Sequence, residues 1–480
     1  MNFAIVRYLI GWMLGIESIF LLLPALTAVI YGEAELPAYL TAAAISLAGA
    51  ALLCHRKPKN TRFYAREGYV TVALCWLVLA VIGALPFVLS REIPFFIDAL
   101  FETVSGFTTT GATILGDVEA LSHASMLWRC LTHWVGGMGV LVFMLIVLPL
   151  AGGQTIFLMR AESPGPAVSK MSPHMRDTAT ILYAIYFGLT VLQMILLLIG
   201  GMPFFDAICV SLGTAGTGGF GNWNDSIAHY NSAYLQNVIT VFMILFGINF
   251  NAYFLILIRK FRQAWESEEV RAYLLIIAAA TLAITFNVRG YFSSFTQAFQ
   301  QTIFQVASII TTTGYATTNF DLWPEFSRTI LVLLMFVGAC AGSTGGGIKV
   351  SRFLIMLKTV KKELIQLLHP RSVRRIQIDG KAIEHEVVRS TNVYMGVYLF
   401  IFAFSMLLIA LNNFDLITNF TAVAATLNNI GPGLSLVGPS GNFSMFSDFS
   451  KLVLIFDMLA GRLELFPLLL LFVPNTWRRF

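Results

Sequence analysis

Charge and paired cysteines are both scarce in this sequence. Charged residues make up 12% of the 480 residues, about half of the share typical of soluble domains. The five cysteines are scattered, odd in number and without a CxxC pair: Cys54, Cys75, Cys130, Cys209 and Cys340. This pattern argues against a disulfide framework or a zinc site, and we interpret the cysteines as small apolar residues of membrane segments.

Catalytic and nucleotide-binding patterns are lacking as well. No Ser/His/Asp or HExxH arrangement lies on a credible span, which argues against an intramembrane hydrolase or any other enzyme. The stretch GSTGGGIK spaces Gly342 and Gly347 as a phosphate-binding loop would, but Ile348 stands in the lysine position. The EHE run at residues 384–386 lacks metal-ligand spacing. We expect no covalently bound cofactor and no nucleic-acid partner.

Apolar sequence is abundant and continuous. Hydrophobic residues make up 57% of the chain, the mean hydropathy is +0.75, and many apolar segments approach the roughly 20 residues that cross a bilayer. The N-terminus runs almost directly into such a segment, without a cleavable-looking signal. The sequence therefore predicts an all-α, polytopic protein surrounded by membrane lipid.

The distribution of charge predicts the topology. Basic residues cluster at 55–66, 259–262, 349–389 and in the terminal WRRF, whereas the alternate loops lean acidic. Positive residues in short loops favour the cytoplasm, so both termini are expected to be cytoplasmic. The stretch 349–389 is longer than topology requires, which leaves open a second role in docking a cytosolic partner.

A four-fold repeat follows two N-terminal apolar helices at about 8–30 and 37–54. Each unit has a long spanning entry helix, a short segment, a Thr/Gly-rich stretch and a second spanning helix that returns. The predicted divisions are 1–68 (helix pair and basic loop), 69–151, 152–258 and 259–357 (units one to three), and 358–480 (cytosolic basic loop and unit four). The short segments, about 12 to 16 residues long, are typical of re-entrant helices. Irregular backbone at membrane depth must be buried or line a water-filled path, so a pseudo-four-fold arrangement around one pore is expected.

The Thr/Gly-rich stretches suit cation selection. They read TTTGAT around Gly111, TGGFG around Gly219, TTTGYA around Gly314 and NNIGPG around Gly431. Rings of backbone carbonyls can replace the hydration shell of potassium, and glycine readily takes the positive φ that such loops need. The predicted potassium selectivity filter comprises Thr110, Gly111, Gly218, Gly219, Thr313, Gly314, Ile430 and Gly431.

Together with LWRCLTHWVGGMGVLV (127–142) and RAESPGPAVSKMSPHMRDTA (160–179), these stretches resemble the Trk/Ktr/HKT cation transporters, and within them the TrkH-type subunits, over nearly the whole chain. The resemblance implies potassium uptake across a bacterial inner membrane by a homodimer, with a cytosolic TrkA-like subunit binding the regulatory nucleotide. Relatives with serine at the first filter position favour sodium; here that position is Gly111. The fourth filter departs most, with Pro432 and Gly433, and TTTGYA lacks the second glycine of TVGYG.

A gate is expected below the filter. The Gly-rich stretch GACAGSTGGGIKVS interrupts the third return helix, and the resemblance implies that this region blocks the pore. The predicted gate residues are Gly345, Gly346, Gly347, Lys349 and Arg462. Lys349 either faces the path or snorkels to the interface.

Charged and ring side chains within the return helices have more than one interpretation. Arg462 lies within a span, which makes it a functional candidate. It either forms a cation barrier, holds the loop through carbonyl bonds, or pairs with Glu464 or Asp457. Arg129 and His133 are interpreted as packing and hydrogen-bonding residues. The alternative function is potassium symport coupled to protons or sodium, since such transporters also use broken helices.

Overall fold

The structure, a computed structural model, describes residues 1–59, 64–139, 175–371 and 375–478. Nearly all regular elements in these ranges are helices, which confirms the all-α class. A two-stranded antiparallel hairpin, β1 (Gln377–Ile378) and β2 (Lys381–Ala382), pairs Gln377 with Ala382 and Ile378 with Lys381. Parts of the predicted basic clusters, the 151/152 boundary and the stretch 160–174 lie outside the described residues.

Two N-terminal helices precede the units, as predicted. They are α1 (Phe3–Tyr31) and α2 (Leu36–Cys54), joined by a tight turn in which Gly32 has a φ of 68°. Helix α1 packs against α2 and against two helices of the first unit. The chain ends meet, since the Met1 amine donates a hydrogen bond of 3.0 Å to the Arg478 carbonyl.

The remaining helices follow the order entry, re-entrant, return. Unit one contains α3 (Ala65–Ser90), α4 (Phe96–Phe107) and α5 (His123–Gly137). Unit two contains α6 (Met175–Ile199), α7 (Phe204–Gly216), α8 (Ala233–Phe246) and α9 (Phe250–Leu257), followed by the short α10 (Phe261–Trp265). Unit three contains α11 (Glu268–Val288), α12 (Phe295–Ile310), α13 (Glu325–Phe336) and α14 (Val350–Leu368). Unit four contains α15 (His385–Ile409), α16 (Leu416–Leu427), α17 (Asp448–Arg462) and α18 (Phe466–Leu469).

Membrane-spanning character is concentrated in the N-terminal pair and the entry helices. Within the described ranges, six helices are long and apolar enough to cross a membrane, and the bent pair α8 and α9 would add a seventh. These six are α1, α2, α3, α6, α11 and α15. The four re-entrant helices have 12, 13, 16 and 12 residues, within the predicted lengths. They are too short to span.

The units pack in a cycle. Each re-entrant helix contacts the entry and return helices of its own unit. It also contacts the return helix of the preceding unit: α5 meets α7, α8 meets α12, α13 meets α16, and α17 closes the cycle on α4. The four re-entrant helices therefore surround a common centre.

The return helices are more irregular than the sequence predicts. The third breaks as expected, between Phe336 and Val350, and we call residues 337–349 the Gly-rich loop. The second was expected to span but bends by 93° between α8 and α9. The fourth was also expected to span but ends at Arg462, where Glu464 and Leu465 take positive φ values of 57° and 68°. Non-glycine residues adopt this conformation at a cost, so the surrounding contacts must hold it.

Candidate functional site: a ring of four glycine turns

The four re-entrant helices end in the same backbone turn. Two positions before each central glycine, a non-glycine residue has a positive φ: Thr109 (55°), Thr217 (54°), Thr312 (61°) and Asn429 (56°). The glycines themselves have φ values of 79° at Gly111, 80° at Gly219, 83° at Gly314 and 97° at Gly431. The four stretches chosen from the sequence thus share one conformation, although their side chains differ.

Each turn is anchored to the end of its own re-entrant helix. The N–H of the residue before each glycine donates to a carbonyl five residues earlier: Thr110 to Ser105, Gly218 to Gly213 and Thr313 to Ser308, each at 2.9 Å, and Ile430 to Ala425 at 2.8 Å. These bonds satisfy carbonyls that a helix end would otherwise leave unpaired. The C-terminal ends of four helix dipoles therefore point their partial negative charge towards the turns.

The turns touch one another and close into a ring. A Cβ added to Gly111 would lie 2.0 Å from the Gly218 carbonyl oxygen, and one on Gly219 would lie 1.9 Å from that of Thr313. One on Gly314 would lie 2.1 Å from the Ile430 oxygen, and one on Gly431 would lie 2.7 Å from the Thr110 oxygen. All eight predicted filter residues therefore meet, and glycine is required at the four centres both for its φ and for this close approach.

Hydroxyl and amide groups brace the ring. The Thr108 and Thr110 hydroxyls are 2.8 Å apart, and those of Thr311 and Thr313 are 2.7 Å apart. In unit four, the Asn429 amide donates to the Thr110 hydroxyl at 2.9 Å and to the Met458 carbonyl at 2.8 Å. Asn429 thus links the fourth turn to the first, a role that the sequence did not suggest.

A buried ion pair supports the first turn from behind. Arg129 Nε donates to Glu102 Oε1 at 2.8 Å, and the two side chains are 2% and 0% exposed. Glu102 also accepts from the Thr113 hydroxyl at 3.0 Å and the Ile114 N–H at 3.1 Å. The carboxylate therefore fixes the residues that follow Gly111. Glu102 was missed in the sequence, where its signal is an acid within a short apolar segment.

His133 joins the first re-entrant helix to the second turn. Its Nδ1 lies 2.7 Å from the Gly106 carbonyl, and the Phe220 N–H donates to its Nε2 at 3.2 Å. One ring nitrogen donates and the other accepts, so the buried ring is held as a neutral imidazole. Together with the Arg129 contacts, this agrees with the hydrogen-bonding interpretation of both residues.

The Gly-rich loop lies directly against the ring. The Gly346 N–H donates to the Thr312 hydroxyl at 2.6 Å, and a Cβ on Gly346 would lie 2.7 Å from the Asn428 carbonyl. Lys349 is 3% exposed and donates through Nζ to the Gly345 carbonyl and, at 3.2 Å, to the Gly346 carbonyl. Lys349 thus points inward and does not reach for the surface.

Arg462 bridges the Gly-rich loop and the first return helix. It donates to the Thr344 carbonyl at 2.9 Å and to the Gly136 and Gly137 carbonyls at 2.5 and 2.7 Å. Of the interpretations left open above, these contacts match carbonyl bonding. Glu464 forms an ion pair with Arg352, and Asp457 accepts from Ser405 at 2.6 Å.

The predicted gate residues share one cavity of about 80 Å³. Its lining includes Gly345, Gly346, Gly347, Lys349 and Arg462. The volume is large enough for water beside the loop. The structure therefore gathers the predicted residues into two adjoining layers. The first is the ring. The second, directly against it, consists of the Gly-rich loop, which includes Lys349, and the Arg462 side chain.

Comparison with known proteins agrees with this architecture. Residues 38–479 match the TrkH family, described as cation transport protein. The Trk system potassium uptake protein TrkH of Salmonella typhimurium is 37% identical over 486 residues, covering 100% of both chains. The Trk system potassium uptake protein TrkG of Escherichia coli is 33% identical, over 99% of this chain and 98% of the TrkG chain. The crystal structure of the potassium transporter TrkH from Vibrio parahaemolyticus matches with a TM-score of 0.89 at 34% identity, covering 100% of both chains.

Proposed function

This chain belongs to the TrkH family of cation transport proteins, and on that premise we propose that it takes up potassium ions through a selective, channel-like pore. It is a multi-pass membrane protein. The curated relatives are named for potassium uptake.

The observation that carries the proposal is the closed ring of glycine turns. The ring gathers the carbonyl oxygens of Thr110, Gly218, Thr313 and Ile430, each beside the glycine of the preceding turn in the cycle. Main-chain carbonyls collected in this way can replace the water shell of a potassium ion. The four converging helix ends add partial negative charge, which favours a cation. The eight ring residues are therefore proposed as the selectivity filter.

The Gly-rich loop is proposed as the gate. It contacts the ring through Gly346, and Lys349 and Arg462 place two positive side chains in the cavity beside it. Fixed positive charge in a narrow, weakly solvated passage opposes the passage of a cation. Movement of the loop away from the ring would remove the steric block. Movement of the Lys349 and Arg462 side chains would lower the electrostatic barrier to potassium.

A homodimer, regulated by a TrkA-like cytosolic nucleotide-binding subunit, is proposed as the working assembly. Helix α14 exposes an apolar stripe at i, i+4 and i+7 spacing, formed by Val360, Leu364 and Leu367, which are 57 to 78% exposed. Such a stripe fits a second helix. Basic residues of the same region, including Lys361 and Arg371, are exposed. A single-chain mass at every concentration would contradict the dimer, and uptake unchanged in cells lacking the subunit would contradict the regulation.

Cytoplasmic placement of both termini is proposed from the positive-inside rule. The contact between Met1 and Arg478 supports it, because the two ends must then share one face of the membrane. Protease digestion of sealed, inside-out vesicles tests this topology. Terminal tags that survive digestion would contradict it.

Purified protein in liposomes tests the proposed function. We expect potassium flux driven by an imposed voltage, because each charge gains about 2.3 kcal/mol per 100 mV, and we expect sodium to compete weakly. Flux that requires a second ion gradient would instead indicate symport with protons or sodium. No cation flux, with the regulatory subunit also present, would overturn the pore.

A further inference from the structure

Two adjacent glutamates at the start of α11 contact different parts of the molecule. Glu269 is 7% exposed, and its Oε1 accepts from the Ala341 N–H at 2.7 Å and from the Ser351 N–H at 3.0 Å. Ala341 lies near the start of the Gly-rich loop, and Ser351 follows its end. A single carboxylate oxygen therefore ties the two ends of the loop together.

Glu268 contacts the β1–β2 hairpin instead. Its N–H donates to Asp379 Oδ1 at 2.7 Å, and the Asp379 N–H donates to its Oε1 at 3.2 Å. Lys358, on α14, forms an ion pair with Glu268 and donates to the Gln377 carbonyl at 2.7 Å. The hairpin is thus fastened both to the start of α11 and to the helix that leaves the Gly-rich loop.

The hairpin also completes the first turn of α11. The side chain of Ser267, the N-cap residue, makes no capping hydrogen bond. Asp379 instead accepts the N–H of Glu268, the first residue of the helix. An acceptor at this position stabilises a helix start, where amides lack intrahelical partners. The order of the first turn, and with it the position of Glu269, therefore depends on the hairpin.

We propose that Glu269 is a positioning residue for the Gly-rich loop, and that the hairpin controls through Glu268 how firmly Glu269 holds it. A cytosolic event that displaces the hairpin then loosens the loop without touching the ring. This inference rests on the proposed function, since it assigns regulation to the loop proposed as the gate.

Native cysteines provide the readout. Cys340 lies in the Gly-rich loop and donates from its N–H to the Gly247 carbonyl at 3.0 Å. Cys340, Cys75, Cys130 and Cys209 are all buried and 0% exposed. Loosening of the loop exposes Cys340 alone, whereas general unfolding exposes all four. The experiment treats the full-length protein in liposomes with a membrane-permeant maleimide and follows each cysteine by mass spectrometry.

Glu269→Ala and Asp379→Ala form the test pair, with Lys381→Ala as the matched control. Lys381 lies on the same hairpin, and its side chain takes no part in the hydrogen bonds that join the hairpin to α11 and α14. Since each change leaves buried or helix-end amides without an acceptor, we expect Cys340 to be labelled about tenfold faster in both test variants. The other three cysteines and the Lys381→Ala variant should remain at wild-type rates. Lys358→Ala, which breaks the Glu268 ion pair, replaces Asp379→Ala should that variant fail to fold.

A double variant tests the coupling itself. If the hairpin acts through Glu269, adding Asp379→Ala to Glu269→Ala should change Cys340 labelling no further. Independent, multiplying effects would overturn the proposal. Wild-type labelling of Cys340 in Asp379→Ala, or in Lys358→Ala where it takes the place of that variant, would also overturn it, as would a joint rise in the labelling of all four cysteines. Potassium flux in the same liposomes reports separately on the proposed function. Absent flux with the expected labelling pattern would contradict the pore while supporting the coupling.

Discussion

The ring and the layer against it differ in what repeats. In the ring, four turns share the same pair of positive φ values and the same helix-end hydrogen bond, while their side chains vary. In the next layer the return helices break differently: α8 and α9 bend by 93°, the Gly-rich loop separates α13 from α14, and α17 ends at Arg462.

The difference reflects which atoms make the contacts in each layer. In the ring the contacts between neighbouring turns run between backbone atoms, so the residue two positions before the glycine can differ between units, as Thr312 and Asn429 do. In the second layer the contacts come from particular charged side chains, such as Arg462 and Glu269. Backbone geometry can therefore be common to all four units, whereas the second layer can be specialised in one of them.

The largest effect on flux is expected when a single methyl group is added to a glycine of the ring. Gly314→Ala places a Cβ at 2.1 Å from the Ile430 carbonyl oxygen in a residue with a φ of 83°. The left-handed conformation alone costs about 1 kcal/mol or more, and the close contact adds to it, so we expect selective potassium flux to be lost. Liposome flux with sodium in competition measures the effect.

Gly396→Ala is the matched control, because a Cβ there meets nothing within 4 Å. It should retain wild-type flux. Unchanged flux and selectivity in Gly314→Ala would mean that the ring does not need its observed geometry.

A second effect concerns the stability of the folded protein, and it should be larger for a variant in unit one than for the corresponding variant in unit three. Glu102→Ala leaves Arg129 buried and unpaired, which costs about 3–5 kcal/mol. Gln305 occupies the corresponding place in unit three and donates to the Thr317 hydroxyl at 3.2 Å, so Gln305→Ala should cost about 1 kcal/mol. Unfolding in detergent by denaturant titration compares the two variants. Equal shifts would contradict the special role of the ion pair in bracing the first turn.

The smallest effect on flux is expected in the second layer. Arg462→Met removes the donors to the Thr344, Gly136 and Gly137 carbonyls. Since water in the adjoining cavity can replace part of these bonds, we expect the flux without a regulatory subunit to rise about tenfold, equivalent to roughly 1.4 kcal/mol.

Arg462→Lys distinguishes the two roles considered for Arg462, which are its positive charge and its hydrogen bonds to carbonyls. Lysine keeps the charge but cannot present the planar, multiple donors of arginine. Flux raised in both variants would identify the carbonyl bonds as the cause, and flux raised in the methionine variant alone would identify the charge. Flux at the wild-type level in Arg462→Met would exclude both roles.

Much of the ring could be predicted from local pattern. A short apolar segment followed by Thr and Gly identified the re-entrant helices and their turns, because length, apolarity and glycine placement are properties of consecutive residues. The break before Val350 was also visible, since several glycines fall within one stretch. The bend between α8 and α9 was not, because only Gly247, Asn249 and Asn251 interrupt the apolar sequence around it.

The supporting contacts could not be predicted in the same way. Glu102 meets Arg129 from 27 positions away, and Asn429 reaches Thr110 across 319. Each partner has an ordinary local setting: an acid in a short segment, or an asparagine before a glycine. Only the cyclic packing of re-entrant on return helices brings these side chains together.

The sequence by itself determined the membrane class, the four-fold succession of helices and the glycines at the four turns, because these depend on hydrophobic length and on local backbone freedom. Tertiary structure alone decided which atoms of neighbouring turns meet in the ring, that Lys349 points inward, and that Glu269 ties the ends of the Gly-rich loop. The physical reason is that hydrogen bonds and ion pairs depend on distances in space, which chain order does not specify until the helices have packed.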